Sequence, residues 1–169
     1  SFNAVTGQRG PFFSGTYMKY LATNGSNRLI VLRGGPDAEL LVFELTAAGL
    51  NTTPLRTIGL TGVTPELGKN TVWLEGNTAY LALGQQGLAV VPDIETSTQQ
   101  DVIYVTGTRE EACNAVTADD EFIYLAYDQY VQFLAKADYT SYGILDFEDF
   151  VESEDEDRSI NHVIAFDYD

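Results

Sequence analysis

The sequence predicts an all-β fold built from repeated four-stranded antiparallel sheets. Short segments rich in Val, Ile, Leu, Tyr and Phe recur about every 8 to 12 residues, separated by turn sequences such as Asn-Gly, Gly-Asn and Gly-Gly-Pro. A second observation is an internal repeat of about 44 residues. Recurrence of short strands within a repeat of this length is typical of sheets that are stacked side by side.

Composition and charge restrict the function classes. The chain is 44% hydrophobic and 20% charged, which indicates a folded core, and its 169 residues match one domain or part of one. Its net charge of -16 opposes nucleic-acid phosphates and anionic membrane faces, and no apolar run approaches the ~18 residues of a membrane span. We therefore expect no nucleic-acid partner and no membrane insertion. With one Cys and one His, we also expect no internal disulfide, no metal site and no cofactor.

The first copy of the repeat, over residues 16–62, is the most divergent. Predicted strands cover Tyr17 to Leu21 and Leu29 to Leu32, joined by a turn at Asn24-Gly25. The second copy, over 69–107, predicts four strands most clearly. They run from Thr71 to Glu75, Thr78 to Leu83, Leu88 to Asp93 and Val102 to Gly107, with turns at Gly76-Asn77 and Gly84 to Gly87 and a loop through Thr96 to Gln100.

The third copy, over 113–150, is found by aligning Tyr80 with Tyr124, an offset of 44 residues. Asn70-Thr71-Val72 then falls on Asn114-Ala115-Val116, and the following strand aligns with one residue of slip. The segment from Gln129 to Asp138 fits a helical face and a strand face equally well. Its place in the repeat predicts the third strand. A further Asn-x-Val sequence at Asn161 predicts the first strand of another copy over 161–169.

A repeat of about 40 to 50 residues with four strands is the signature of a β-propeller blade. The predicted fold is therefore all-β, with antiparallel four-stranded blades of a β-propeller, about three blades plus one strand. Middle strands should be buried on both faces, as the apolar segments Leu29 to Leu32, Ala79 to Leu83 and Phe122 to Ala126 suggest. The run of acids over 146–159 is interpreted as a solvated loop.

Residues 76–93 also carry a family resemblance. Gly76-Asn77, the strand Ala79 to Leu83, Gly87-Leu88 and the closing Asp93 resemble the LVIVD-type repeat of bacterial and archaeal β-propeller proteins. The resemblance implies blade architecture and an extracellular or cell-envelope setting. It supplies no catalytic motif.

Three blades and one strand do not close a ring, since propellers use about four to eight blades. We therefore expect this chain to associate with the remaining blades of the same protein or with a second copy. Residues 1–36 carry four bases and no acid, whereas residues 146–169 carry ten acids and one base. These oppositely charged ends are suited to such a closure.

The candidate binding residues lie where the innermost strands begin. Asn70, Asn114 and Asn161 recur at that position, with Tyr17 in the divergent copy and His162 beside Asn161. We expect the three Asn side chains to occupy equivalent places around one axis, where they cap strand ends or line a channel mouth. The ligand class is a protein or a glycan.

The sequence gives weaker signals for catalysis, calcium binding and sugar binding. Cys113 and His162 flank the repeated Asn in adjacent copies and could form an activated thiolate, but no third member accompanies them. The acidic run lacks the glycine and closing Glu of a calcium loop. Trp73 fits either a core position or a sugar platform. Two functions therefore stay open, namely a non-catalytic interaction module and part of a propeller enzyme whose channel-mouth site other blades complete.

Overall fold

The structure is a computed structural model that describes residues 17–35, 38–60, 70–107, 111–147, 160 and 162–164. These residues form thirteen strands in three antiparallel sheets. Apart from a single 3₁₀ turn at Gln99–Asp101, this part of the chain contains no helix, and thus no helix long and apolar enough to cross a membrane. The predicted all-β class with four-stranded sheets is confirmed.

The first sheet contains five strands because its third strand pairs with two short successors. They are β1 (Met18–Thr23), β2 (Arg28–Arg33), β3 (Glu39–Thr46), β4 (Gly49–Leu50) and β5 (Arg56–Gly59). The predicted turn between β1 and β2 is built on Asn24, whose Oδ1 accepts bonds from the backbone amides of Ser26, Asn27 and Arg28. Gly25 supplies the positive φ of 75° that follows.

The second and third sheets each have four strands in sequential order. The second contains β6 (Val72–Glu75), β7 (Thr78–Ala82), β8 (Leu88–Val91) and β9 (Ile103–Val105), and the third contains β10 (Ala115–Ala118), β11 (Phe122–Ala126), β12 (Tyr130–Ala135) and β13 (Ser141–Asp146). The segment that fitted helix and strand equally is β12, a strand as the repeat predicts.

The repeat is visible in the strand register. In the second sheet Val72 pairs with Leu81, and in the third Val116 pairs with Leu125, each 44 residues later. The first two strands of these sheets therefore share one register without slip.

The slip enters at the turn before the third strand. In the second sheet the Leu83 amide bonds to Gly87 O around a three-residue turn, whereas in the third sheet the Tyr127 amide bonds to Tyr130 O around a two-residue turn. Because one residue is missing from that turn, β12 follows β8 at an offset of 43 rather than 44.

The second sheet is buried on both faces. Ala79 and Leu81 belong to a hydrophobic core shared with the first sheet, whereas Tyr80 and Ala82 belong to a core shared with the third. Alternate residues of a strand point to opposite faces, so a continuous apolar run is what a sheet covered on both sides requires. The expected burial of the middle strands is met at Ala79 to Leu83, all of which are buried. It is met only in part in the other two sheets, where Leu29, Phe122 and Tyr124 are half-buried.

The sheets lie face to face with their first strands together. Strand β6 contacts both β1 and β10. Ion pairs join neighbouring sheets, from Arg28 to Glu95 and from Lys136 to Glu75. This arrangement of three sheets, each inner strand beside the next, is that of adjacent propeller blades.

Two predicted segments fall largely outside the described residues. The acidic loop over 146–159 is described only at 146 and 147, and the strand predicted over 161–169 only at 162–164, which are not in a strand. Both remain predictions.

Candidate functional site

The sites predicted from sequence gather at one end of the sheets. Tyr17, Asn70 and Asn114 directly precede or closely precede β1, β6 and β10. The turns between the second and third strands, at Gly84 and Asp128, lie at the same end because antiparallel partners run in opposite directions. We call this end, with these five residues, the rim.

Asn114 ties three parts of the rim together. Its Nδ2 donates to Asp128 Oδ1 at 2.9 Å and to the Ile160 carbonyl at 3.3 Å, and its backbone amide donates to Ala126 O at 2.7 Å. The side chain is 4% exposed. Asn114 therefore holds the turn after β11 against the chain segment that returns at Ile160, which is a strand-capping role.

Asn70 occupies the equivalent place but bonds differently. Its Nδ2 donates to Ala82 O at 3.1 Å, and its Oδ1 is buried with no hydrogen-bond partner among the described residues. The residue that matches Asp128 in this copy is Gly84, 44 positions earlier, and glycine offers no carboxylate. Asn70 therefore caps its own sheet alone.

A backbone contact connects the second sheet to the start of the third at the rim. Gly84 and Cys113 exchange two hydrogen bonds, of 3.0 Å and 2.9 Å, between the second sheet and the start of the third. At the matching turn, the Ile160 amide donates to Asp128 O at 2.7 Å. Cys113 precedes Asn114 as Ile160 precedes Asn161, so the same contact occurs where the next copy is predicted to begin.

The remaining predicted residues differ in exposure. Tyr17 is 65% exposed, and its carbonyl accepts a 2.8 Å bond from the Gly34 amide beside β1. His162 is exposed. Asn161 lies outside the described residues, so its place on the common axis stays a prediction.

Cys113 and His162 do not form a catalytic pair in this geometry. Cys113 is fully buried, its thiol lies 3.8 Å from Ala115 O, and no hydrogen bond joins it to exposed His162. Burial strongly raises the pKa of the Cys113 thiol, despite an opposing contact with the Tyr127 hydroxyl. A buried neutral thiol is a poor nucleophile.

Tyr127 extends this buried cluster. Its ring stacks on Tyr130, with centroids 4.5 Å apart and planes 10° apart. Burial raises the pKa of Tyr127, and the neighbouring Cys113 adds to that rise. The cluster keeps its polar groups uncharged between two sheets, which suits packing rather than proton transfer.

The described residues provide no acid–base constellation at the rim. Within them, no group of three or more His, Cys, Asp and Glu side chains could hold a metal ion. The ion pairs that join sheets, Lys136 with Glu75 at 2.6 Å and Arg28 with Glu95, lie at the opposite end of the sheets. Arg33 and Glu39 form an ion pair within the first sheet at the rim end. The rim chemistry is hydrogen bonding from amides and the Asp128 carboxylate, one ion pair and exposed aromatic surface.

Sequence reasoning missed Asp128, Gly84 and Ile160. The offset of 44 residues places Asp128 on Gly84, and the offset of 47 that relates Asn161 to Asn114 places Ile160 on Cys113. No protein-family model matches this chain, and no curated protein sequence matches it significantly.

Proposed function

We propose that this chain is a section of a β-propeller that works as a non-catalytic binding module, of the type that the LVIVD-like segment 76–93 resembles. The observation that carries the proposal is the repeated connection between sheets. Gly84 contacts Cys113, and Asp128 contacts Ile160, at matching places in successive copies. Repetition of one contact at two successive junctions is suited to building a ring.

The non-catalytic assignment rests on how the rim uses its polar groups. The amide of Asn114 is committed to Asp128 and Ile160, and Cys113 is buried. These groups connect sheets, and none is paired with an accessible base or nucleophile. Two aromatic side chains are accessible here: Tyr17 at the rim, 65% exposed, and Trp73 on the inner strand β6, 36% exposed.

Accessible aromatic side chains suit recognition of a sugar ring or a peptide segment, because both offer apolar faces that an aromatic ring can contact. The ligand is therefore proposed as a glycan or a protein segment bound at the rim. An extracellular or cell-envelope setting is proposed from the LVIVD resemblance alone.

Binding without turnover is directly testable. The labelled protein would be applied to a glycan array and a peptide array, and positive ligands would be titrated by calorimetry and recovered for mass spectrometry. We expect saturable binding to one ligand class, with the ligand recovered unchanged. Tyr17→Ala should weaken binding at least about tenfold, which corresponds to 1.4 kcal/mol.

The matched control is Ile103→Ala, which removes another exposed apolar side chain, on the outermost strand β9. It should leave the affinity unchanged. Recovery of a cleaved or modified ligand would favour the propeller-enzyme alternative, and absence of binding on both arrays would contradict the proposed module.

A further inference from the structure

Two sequences in the first sheet match the acceptor for N-linked glycosylation, which is Asn-x-Ser or Asn-x-Thr with x other than Pro. They are Asn24-Gly25-Ser26 and Asn51-Thr52-Thr53. The other six of the chain's eight Asn residues lack a Ser or Thr two positions later. The repeated Asn70, Asn114 and Asn161 are each followed there by Val, so the Asn residues of the repeat are not acceptors.

Both acceptor sequences lie at the end of the first sheet opposite to the rim. Asn24 follows β1, a strand that starts beside Tyr17 at the rim, and Arg28 begins β2 on the other side of the same turn. Arg28 pairs with Glu44 of β3, and the Glu44 carbonyl accepts a 2.9 Å bond from the Asn51 amide. These contacts place Asn24 and Asn51 at one end of one sheet, which we call the distal end.

The turns at the distal end have room for a bulky substituent. All three residues from Asn51 to Thr53 are exposed. Asn24 is half-buried, but Gly25 and Ser26 after it are exposed, and an added Cβ on Gly25 would meet nothing within 4 Å. Within the described residues, neither Asn24 Nδ2 nor Asn51 Nδ2 donates a hydrogen bond. Both amide nitrogens can therefore be modified without loss of an internal contact.

The hydrogen bonds of both turns use the other polar atom of the amide. Asn24 Oδ1 accepts from the backbone amides of Ser26 and Arg28 at 3.1 and 3.0 Å. Asn51 Oδ1 accepts from the Thr53 amide at 3.2 Å. These bonds form Asx turns, in which the Asn side chain bonds to the backbone two residues later. A glycan on Nδ2 leaves Oδ1 as an acceptor, so both turns persist after modification.

We propose that Asn24 and Asn51 are N-glycosylated, so that the distal end carries glycans and the rim stays open. The inference rests on the proposed extracellular or cell-envelope setting, because N-glycosylation acts on exported chains. It concerns the end of the sheets that the proposed binding function does not use.

The sugar donor is a lipid-pyrophosphate-linked oligosaccharide, and a membrane transferase of the export route catalyses the step. Asn Nδ2 forms a bond to the anomeric carbon of the first sugar. The bond from that carbon to the phosphate oxygen breaks, and the lipid pyrophosphate leaves with the electron pair. In the net reaction the leaving phosphate takes up the proton that Nδ2 loses, and nothing is oxidised or reduced.

A glycan at the distal end is well separated from a ligand at the rim. Strand β1 has six residues, so at about 3.3 Å per residue it places Asn24 about 20 Å from Tyr17. Glycans are bulky and hydrophilic, and at this distance they extend into solvent beyond the sheet. We therefore expect a rim ligand to bind with the same affinity whether or not the glycans are present.

The test is export of the full chain, behind a secretion leader, from a eukaryotic host, followed by peptide mass spectrometry before and after peptide N-glycosidase. We expect a glycan on both Asn24 and Asn51, and conversion of both to Asp when the enzyme removes it. Asn77 is the internal control and should stay unmodified. It lies exposed in the matching turn of the second sheet, at the same end, but Ala79 follows at the hydroxyl position. Absence of a glycan from Asn24 or from Asn51 in the exported protein would overturn the proposal.

Variants that keep each Asn but remove the hydroxyl two positions later test the acceptor chemistry. Ser26→Ala should lose the glycan on Asn24 alone, and Thr53→Ala should lose the glycan on Asn51 alone. Ser26→Thr and Thr53→Ser retain a hydroxyl and should carry both glycans. A glycan that persists on Asn24 in Ser26→Ala, or on Asn51 in Thr53→Ala, would also overturn the proposal.

The array experiment, repeated on the exported protein before and after removal of the glycans, separates this inference from the proposed function. Far-ultraviolet circular dichroism should be the same for both forms, because the turns keep their hydrogen bonds. A glycosylated chain that binds no array ligand would exclude only the binding function. A chain that binds an array ligand but carries no glycan would exclude only modification of the distal end.

Discussion

Gly87 shows how a single residue fixes the junction between strands. Its φ is 77°, in the left-handed region, and an added Cβ would lie 2.5 Å from Val105 O and 2.8 Å from Gly107 N. The backbone of the outermost strand passes directly over this turn. Glycine is therefore required here for its conformation and also for its lack of a side chain.

We predict that Gly87→Ala lowers the free energy of unfolding by about 2 to 4 kcal/mol, from backbone strain and the backbone clash together. Gly25→Ala is the matched control, because Gly25 has a similar φ of 75° but nothing within 4 Å of an added Cβ. The control should lose about 1 to 2 kcal/mol. Urea denaturation measures both, and equal losses would show that the close approach at Gly87 is absent.

Burial makes Cys113 chemically inert in the folded protein. Its side chain is 0% exposed, and burial raises the pKa of its thiol. We predict that iodoacetamide at mildly alkaline pH modifies Cys113 only after unfolding in urea, because thiolate and access are both lacking in the fold. Rapid stoichiometric labelling of the folded protein would contradict this and reopen the thiolate hypothesis.

Because Tyr80 is buried, we predict that the folded protein loses stability at alkaline pH. Burial, followed by the charges of Glu75 and Tyr139, raises the pKa of Tyr80 from 10.0 to about 12. The folded state therefore keeps a proton that the unfolded state releases. The contribution is fully present below pH 10 and is lost as pH rises through about 12.

We expect the melting temperature to fall across this window and to fall less steeply in Tyr80→Phe, which cannot ionise. Part of the slope should remain, since burial raises the pKa of Tyr127 as well. Tyr142→Phe, at an exposed site, is the control and should follow the parent protein. Identical slopes for the parent and Tyr80→Phe would contradict the account.

At the residue scale, the sequence singles out the recurring Asn residues but not their hydrogen-bond partners. The recurrence of Asn70 and Asn114 is visible as Asn-x-Val, whereas the bond to Asp128 depends on a turn whose length differs between copies. The pattern of apolar residues carries no information on which turn residue faces an amide.

At the scale of elements, a side chain links adjacent inner strands. The Val116 amide in β10 donates to Thr71 Oγ1, just before β6, at 2.9 Å. Both residues are buried, at 5% and 7% exposed. This bond satisfies a strand-edge amide that the four-stranded ladder leaves unpaired.

We predict that Thr71→Val lowers the free energy of unfolding by about 1 to 3 kcal/mol. The replacement preserves the shape of the side chain but leaves the buried Val116 amide without its hydrogen-bond acceptor. Thr117→Val is the control. Thr117 is 1% exposed, and its hydroxyl has no partner within the described residues, so its replacement should be neutral or stabilising. Equal costs for the two variants, measured in urea, would show that the Thr71 bond is not what joins the strands.

The strands themselves were largely predictable because their apolar segments are short and regularly bounded. The residues of β12 fit two periodicities, and its strand form could be predicted only from its place in the repeat, between β11 and β13. The two short strands β4 and β5, which share β3, were not predicted. Local pattern does not reveal that one long strand pairs with two partners.

At the scale of the whole molecule, the internal repeat was more informative than any local pattern. It predicted that the middle sheet is covered on both sides, and Ala79 and Tyr80 do point into different cores. How much of the outer sides of the first and third sheets is exposed could not be predicted, because it depends on how distant segments meet.

The central claim is that each copy of the repeat is a blade related to the next by one rotation. A crystal structure of the assembled protein that places residues 161–169 tests it most directly. The rotation that superposes β6 and β7 on β10 and β11 should also carry Asn114 onto Asn161, with the residues after it forming an inner strand beside β10. An Asn161 Cα at an unrelated position, with no strand following it, would contradict the claim.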